Sequence, residues 1–476
     1  MNIKSPLILL LVILTFFSCE KGENGLDDVY IGGQIANPTS EYVIISKNDV
    51  DLDTLYLNEN DKFSGRLKNI EAGIYVFSHP PENQVMYLEP GDSTLIWVNT
   101  LAFDESINFS GKGAAKSNFL TNIYLLNQKN NDLILSYYKV EPADFARKTD
   151  SIREVRLKEL DKLNQQKDLS KEYFELAKSS IDYEYYDLRE RYALLIHKYQ
   201  RDYIDKIPAD FHQYRESLNF NDERFQDYYV YLNLIDDYIR SLSVEYCNEN
   251  NISGDSCSNL MSVENIKRRI LIMDSIIQNK SIKNPFLERL AAQGIIYSDD
   301  LEEIKSILKM MEDINYDGND MPALKEMAGI QGSLLPGNNI GELKLVRPNG
   351  EAVQLKNVSK KPIITFHWSL SEQRHHKLAH KIIEDLRFKY PEINFLGINI
   401  DKDQNEIWKR VIKNNSYDQD FEYKIEVMRV KESLLKNYLN KMIFMNASGE
   451  IIKGDVQLNA PDLETTILEF ISPQNN

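Results

Sequence analysis

Four of the seven histidines in this 476-residue chain, His367, His375, His376 and His380, fall within fourteen positions. His376 and His380 are one helical turn apart, a spacing at which two neutral imidazoles can chelate Zn²⁺ or Cu²⁺ from a single helix face. Glu372 lies one turn before His376. Placed at about 100° per residue with Leu378, Ile382 and Leu386, His375 is expected on the apolar side and His376 and His380 on the polar side. A solvated helix face with one half-buried histidine satisfied by backbone is the plainer reading of the same pattern. There is no Ser-His-Asp arrangement or phosphate-binding loop.

The chain has three cysteines, Cys19, Cys247 and Cys257. Cys247 and Cys257 flank a polar segment (Asn248, Glu249, Asn250, Asn251, Gly254, Asp255) that reads as a loop between helices. In an oxidising compartment this pair is expected to be a structural staple, with two free thiols or a redox-active pair as alternatives. Nothing cationic sits beside either thiol in sequence to depress its pKa.

Cys19 ends an apolar run from Pro6 to Phe17 that follows Lys4, with Ser18 directly before it. A charged start, a short apolar core and a small residue at the cut are the parts of a secretory signal. The run is too short to span a hydrocarbon core of roughly 30 Å, which needs about 20 helical residues. Ser18-Cys19 resembles a bacterial lipobox, although Phe16 stands where an aliphatic is usual. The resemblance implies a signal peptide over 1–19, lipid attachment at Cys19, a tether over 20–28 and membrane anchorage in the cell envelope, facing the periplasm or the cell surface. The formal net charge of −17 excludes nucleic acid as a partner, because phosphate affinity comes from clustered Lys and Arg.

Three regions are expected to position these residues. Short β-branched runs at Val43–Ile45, Asp51–Leu57, Gly73–Phe77, Val85–Leu88 and Thr94–Val98, with Gly65 and Pro90-Gly91-Asp92 as punctuation, predict a β-sandwich over 29–113. The phrases around Asp61–Gly65, Leu88–Asp92 and Phe109–Gly113 resemble a β-domain that precedes thioredoxin-like domains in envelope lipoproteins. Helical periodicity fills 114–326; Phe174, Ala177, Ile181, Tyr185, Leu188, Tyr192 and Leu195 recur at steps of three and four. Its many tyrosines, among them Tyr228, Tyr229 and Tyr231, are expected to cover helix seams with their hydroxyls at water.

From 335 to 476 the pattern is strand, helix, strand, then a hairpin and a closing helix, an α/β layer. The overall class is therefore α+β multidomain: a β-sandwich, a helical middle and a C-terminal α/β domain. Pro336-Gly337 to Leu355, Leu396–Asp401 with Trp408-Lys409, and Phe444–Ile451 resemble the TlpA/ResA-like thioredoxins. That family carries Cys-x-x-Cys after the strand that here contains Phe366, and a cis-proline before the late hairpin. Here Ser371 and Arg374 stand at the cysteine positions, with Glu372 and Gln373 between them, and Asn440 stands at the proline position. A hydroxyl and a guanidinium cannot exchange disulfides. The resemblance implies the thioredoxin fold, with Ser371, Glu372, Gln373, Arg374, His375 and Asn440 as a binding face for an envelope protein or peptide. No cofactor is expected. The alternatives are a thiol–disulfide oxidoreductase using Cys247 and Cys257, and a metal-binding protein using His376 and His380.

Overall fold

The computed structural model describes residues 28–472 apart from 49, 138, 251, 253, 254, 403 and 427–434. Cys19, the expected signal peptide and positions 20–27 of the tether lie outside the described residues. The chain divides into two compact units, one ending at Thr121 and one running from Asn122 onward. Together they hold mixed α and β structure in three sheets with a helical middle. Among the described residues no helix is long and apolar enough to cross a membrane.

The first unit has two four-stranded sheets. One is ordered β4 (Lys62–Leu67), β1 (Val29–Ala36), β7 (Ser93–Asn99), β8 (Asn108–Lys112); the other β3 (Val50–Tyr56), β2 (Tyr42–Lys47), β5 (Gly73–His79), β6 (Glu82–Leu88). Alternate residues of both sheets, such as Ile31, Phe63 and Val98 from one and Ile45, Phe77 and Met86 from the other, share one core. Gly65 is not turn punctuation, as expected from sequence, but lies inside β4. A Cβ there would sit 2.4 Å from Leu55 Cδ2, so the bare backbone lets the neighbouring leucine pack.

In the second unit, helices α2 to α10 are α2 (Ala114–Tyr137), which begins in the first, α3 (Pro142–Lys167), α4 (Lys171–Tyr199), α5 (Tyr229–Glu249), α6 (Asp255–Ser258), α7 (Val263–Ile276), α8 (Lys280–Ile296), α9 (Leu301–Asp313) and α10 (Met321–Ser333); the short α1 (Phe103–Ser106) precedes them. α4 is capped by Ser170, whose hydroxyl accepts from Tyr173 N at 3.1 Å. Its buried face is wider than the apolar stripe, since Glu184, Asp187 and Glu190 are buried beside Ile181, Leu188 and Tyr192. The tyrosine hydroxyls do not point to water throughout: Tyr228 and Tyr231 are wholly buried, and Tyr228 shares a 2.6 Å hydrogen bond with Ser180.

A seven-stranded sheet closes the chain, ordered β10 (Ala352–Gln354), β9 (Lys344–Val346), β13 (Glu422–Ile425), β12 (Asn394–Asn399), β11 (Ile363–Trp368), β14 (Lys441–Met445), β15 (Ile451–Gln457). β11 runs parallel to β12 through α11 (Gln373–Lys389) and antiparallel to β14. α12 (Asn405–Asn414) links β12 to its parallel neighbour β13, and a helix at Leu463–Ile471 ends the fold. Every expected strand and helix of this region is present; β13 was not foreseen. The central strands carry near-continuous apolar side chains on both faces, with Phe366, Trp368, Phe395 and Phe444 in one core and Ile363, Leu396, Ile398 and Met445 in another.

Candidate functional site

The segment joining β11 to α11 is held by one buried aspartate. Ser369 Oγ donates to Asp401 Oδ1 at 2.6 Å, while the Leu370 amide and Asn399 Nδ2 each donate to Oδ2 at 2.7 Å. Asp401 follows β12, so the parallel pair of strands brings it under the helix start. The Ser371 amide donates to Ser369 Oγ at 3.2 Å, and the two serine hydroxyls are 2.9 Å apart. Ser371 is thus tied down at the first of the two positions where the resembled family has cysteine. Gln373 and Arg374 are exposed, and Glu372 lies 3.8 Å from Lys436 Nζ.

His375 and Asn440 come together. His375 Nε2 is 3.1 Å from Asn440 Oδ1, so that nitrogen carries the proton and donates. Nδ1 is then left without a hydrogen, and it is buried with no hydrogen-bond partner. Burial lowers the His375 pKa. The described residues have their cis peptide bond at Pro80-Pro81, so the bond entering Asn440 is trans, as expected for a non-proline there.

His376 and His380 are placed differently from the sequence expectation. They are 2% and 7% exposed, on the buried face of α11 with Ala379, Ile383 and Leu386, whereas Leu378 is 59% exposed. Burial, and then the neighbouring His380, pushes the His376 pKa down to about 4. His376 Nδ1 is 2.8 Å from the Tyr417 hydroxyl. His380 Nδ1 faces the His376 carbonyl at 2.6 Å, its Nε2 faces Glu422 Oε1 at 3.2 Å, and its ring stacks on Tyr417 at 3.5 Å between centroids. Both His380 nitrogens are engaged, so a metal could take this ring only by displacing one of these partners. Three potential ligand atoms come within 4.8 Å of one another elsewhere among the described residues, at Glu190, His212 and Glu245 and at Asp299, Asp300 and Glu303. At the first of these Arg215 already neutralises both carboxylates.

Glu422, on the unforeseen β13, is the residue around which this interior is organised. Its Oε2 accepts the Trp368 indole N–H at 2.9 Å. The carboxylate fits because residue 397, its partner in β12, is glycine: a Cβ there would lie 2.5 Å from Glu422 Oε2. On the far side of the sheet centre, His367 Nδ1 donates to the Lys441 carbonyl at 2.9 Å. The Lys441 side chain is wholly buried and donates to the Ile296 carbonyl and to Gln331 Oε1, across from β14 to α8 and α10. Burial pulls its pKa down to about 7.

Cys247 and Cys257 form a disulfide, and their residues are 3% and 0% exposed. The sequence showed no adjacent cation, but packing of α7 against α5 sets Arg268 Nη1 3.2 Å from Cys247 Sγ. In the turn that follows α9, Asn315 is in the left-handed region, and Asp317 is ion-paired to Lys280.

No protein-family model matches the chain, and no curated protein matches it in sequence. Several solved structures are similar to part of it. They include the thioredoxin domain of a thiol-disulfide oxidoreductase from Bacteroides vulgatus, 18% identical, covering 29% of this chain and 100% of that one at a TM-score of 0.22. A thiol-disulfide oxidoreductase from Bacteroides fragilis is 17% identical over 28% of this chain and 100% of its own, also at 0.22. A thiol:disulfide interchange protein from a Bacteroides species is 17% identical over 30% of this chain and 95% of its own, again at 0.22.

Proposed function

We propose that this chain is a lipid-anchored envelope protein whose C-terminal thioredoxin-like domain binds a partner without redox chemistry. The face it uses is the one formed by Ser371, Glu372, Gln373, Arg374, His375 and Asn440. The observation that carries this reading is the His375–Asn440 hydrogen bond, which joins the start of α11 to the residue before β14. Those two elements carry the cysteines and the cis-proline in the resembled family, and here they hold a surface together with no thiol on it. Disulfide exchange needs a thiolate, and no cysteine follows Cys257.

The test uses the whole chain. A photo-crosslinking residue at Gln373 is expected to join an envelope protein or peptide in cells, while the same residue at Phe388, which is 90% exposed at the other end of α11, does not. Purified protein is expected to leave insulin reduction by dithiothreitol at the uncatalysed rate. Equal crosslinking at both positions, or a catalysed rate that survives Cys247→Ala, overturns the reading. Cys19→Ala is expected to move the protein from the membrane to the soluble envelope fraction, since anchoring rests on acyl chains contributing about 0.8 kcal/mol per buried CH₂.

A second reading, exchange at Cys247–Cys257, draws on Arg268, because a guanidinium beside a sulfur stabilises its thiolate. Burial of both residues opposes it, since an attacking substrate has to reach the sulfur. A catalysed rate abolished by Cys247→Ala would favour it.

A further inference from the structure

Between α5, α7 and α8 on one side and the residues flanking β14 and β15 on the other lies a cavity of about 320 Å³. Three guanidinium groups line it, Arg240 from α5, Arg269 from α7 and Arg289 from α8, against one acid, Asp236. It adjoins a larger cleft of about 970 Å³ that shares Arg240, Arg269, Tyr297 and Gln457. The opposite wall is made of neutral amides, among them Asn437, Asn440, Gln457 and Asn459.

The charges here do not balance. Asp236 is spent on two cations, with Oδ2 2.6 Å from Arg240 Nη2 and Oδ1 2.6 Å from Arg289 Nη2. Arg240 also reaches Asp237 at 3.2 Å, yet its Nε is buried with no hydrogen-bond partner. Arg269 is 2% exposed and makes no direct ion pair among the described residues; Asp236, which Arg240 and Arg289 already hold, is the acid that acts on it. Arg269 Nε donates to Asn265 Oδ1 at 3.0 Å and its Nη2 to the Leu260 carbonyl, both neutral acceptors. Burial, and then repulsion from Arg240, pushes this guanidinium down to about 10. Ser262 caps the start of α7 through the Asn265 amide at 3.1 Å, while the hydrogen bonds to Asn265 Oδ1 and the Leu260 carbonyl hold the Arg269 guanidinium away from water.

A buried cation that must share one acid with two other cations is under-compensated, and an unmade hydrogen bond at a buried donor adds to the cost. Both conditions are relieved by the same thing: an anion with at least two acceptor oxygens, the group that a planar guanidinium fork matches best. We propose that this cavity binds the oxyanion, carboxylate or phosphate, of a small polar molecule, held by Arg269, Arg240 and Arg289 with its neutral part against the amide wall. The volume is that of a small-molecule site. The proposal goes beyond the binding face at Ser371 to His375, with which the cavity shares Asn440, and it rests on the three arginines, which belong to the helical region.

Calorimetric titration of the full-length protein, prepared free of phosphate and organic acids, decides the matter, with inorganic phosphate and citrate as the two probes at millimolar concentration. Saturable one-site binding of either probe is expected, and which of the two binds names the oxyanion. Arg289→Gln, at an exposed side chain, and Arg269→Gln should each weaken binding about tenfold or more. Arg224→Gln, at an arginine paired with Asp222 outside the cavity, should leave it unchanged. If Arg269→Gln does not fold, Arg289→Gln alone carries the test. No binding of either probe, or binding equally tight in the folded arginine variants, overturns the proposal. None of the three variants changes a residue of the binding face, Asn440 included, so loss of anion binding with crosslinking at Gln373 retained separates the two proposals.

Discussion

Nε2 of His380 lies 3.2 Å from Oε1 of Glu422, and the two side chains are 6% and 0% exposed. Since His380 Nδ1 already gives its hydrogen to the His376 carbonyl, Nε2 and Oε1 can bond only if a second proton sits between them. Glu422→Gln supplies that hydrogen from an amide and keeps an oxygen for the Trp368 indole, so it is expected to change stability by about 1 kcal/mol or less. Glu422→Ala leaves the indole and the imidazole unpaired in the interior and is expected to cost about 3–5 kcal/mol. Urea denaturation of the two variants at pH 7 measures the difference; similar losses in both would mean that the pair is not hydrogen-bonded as described.

His367 gives a pH test with a definite sign. Burial pushes its pKa to about 4, below the ordinary value of 6.5. Between those pH values the unfolded chain takes up a proton at this residue that the native state refuses, so the stabilisation present above about pH 6.5 is lost as pH falls toward 4. The wild type should therefore lose about 2–3 kcal/mol more than His367→Gln across that window. Parallel stability curves for the two proteins would show that His367 charges freely in the fold.

Lys441 titrates in the opposite half of the scale. With its pKa lowered to about 7, the unfolded state holds a proton on this amine through the interval up to about pH 10 that the native state has shed. Stability from this residue is lost as pH falls from that upper limit toward 7, at about 1.4 kcal/mol per pH unit. Lys441→Met removes the slope. Denaturation midpoints at pH 7, 8 and 9 that rise equally in wild type and variant would refute the buried-amine account.

The disulfide is expected to be a staple with a charged neighbour. Replacing both Cys247 and Cys257 by Ala should cost about 2.5–3 kcal/mol on the chain-entropy account. Arg268→Gln should slow alkylation of the reduced pair at neutral pH by raising the Cys247 thiol pKa. Alkylation equally fast with and without Arg268 would show that the guanidinium does nothing for the sulfur.

Much of the C-terminal sheet was legible because its central strands are buried on both sides and read as unbroken apolar runs, as in Ile363–Trp368. β13 escaped for a physical reason: Phe421, Tyr423 and Ile425 alternate with Glu422 and Lys424, the pattern of a strand with one wet face, yet both faces are covered. The helix phase of α11 departs from the sequence expectation because imidazoles, read there as polar, lie in the core. The spacing of His376, Ala379, His380, Ile383 and Leu386 is itself an amphipathic stripe once histidine is allowed into the core. Ser371 and Asn440 were readable as departures from a familiar pattern. Asp401 in its bridging role, and Arg268 beside Cys247, depend on contacts between segments far apart in sequence, which no local spacing reveals.

The lysine that follows Asn440 has its backbone in the sheet and both its side-chain acceptors, at Ile296 and Gln331, in the helices before it. Cutting the chain between α10 and β9 would strand an amine in what had been an interior and strip the covering from Tyr438, whose hydroxyl donates to the Met327 carbonyl of α10. Grafting experiments and domain swaps should therefore move residues 122–476 as a block. Any relative that keeps the sheet but drops the helices is expected to carry something other than lysine at the position after Asn440.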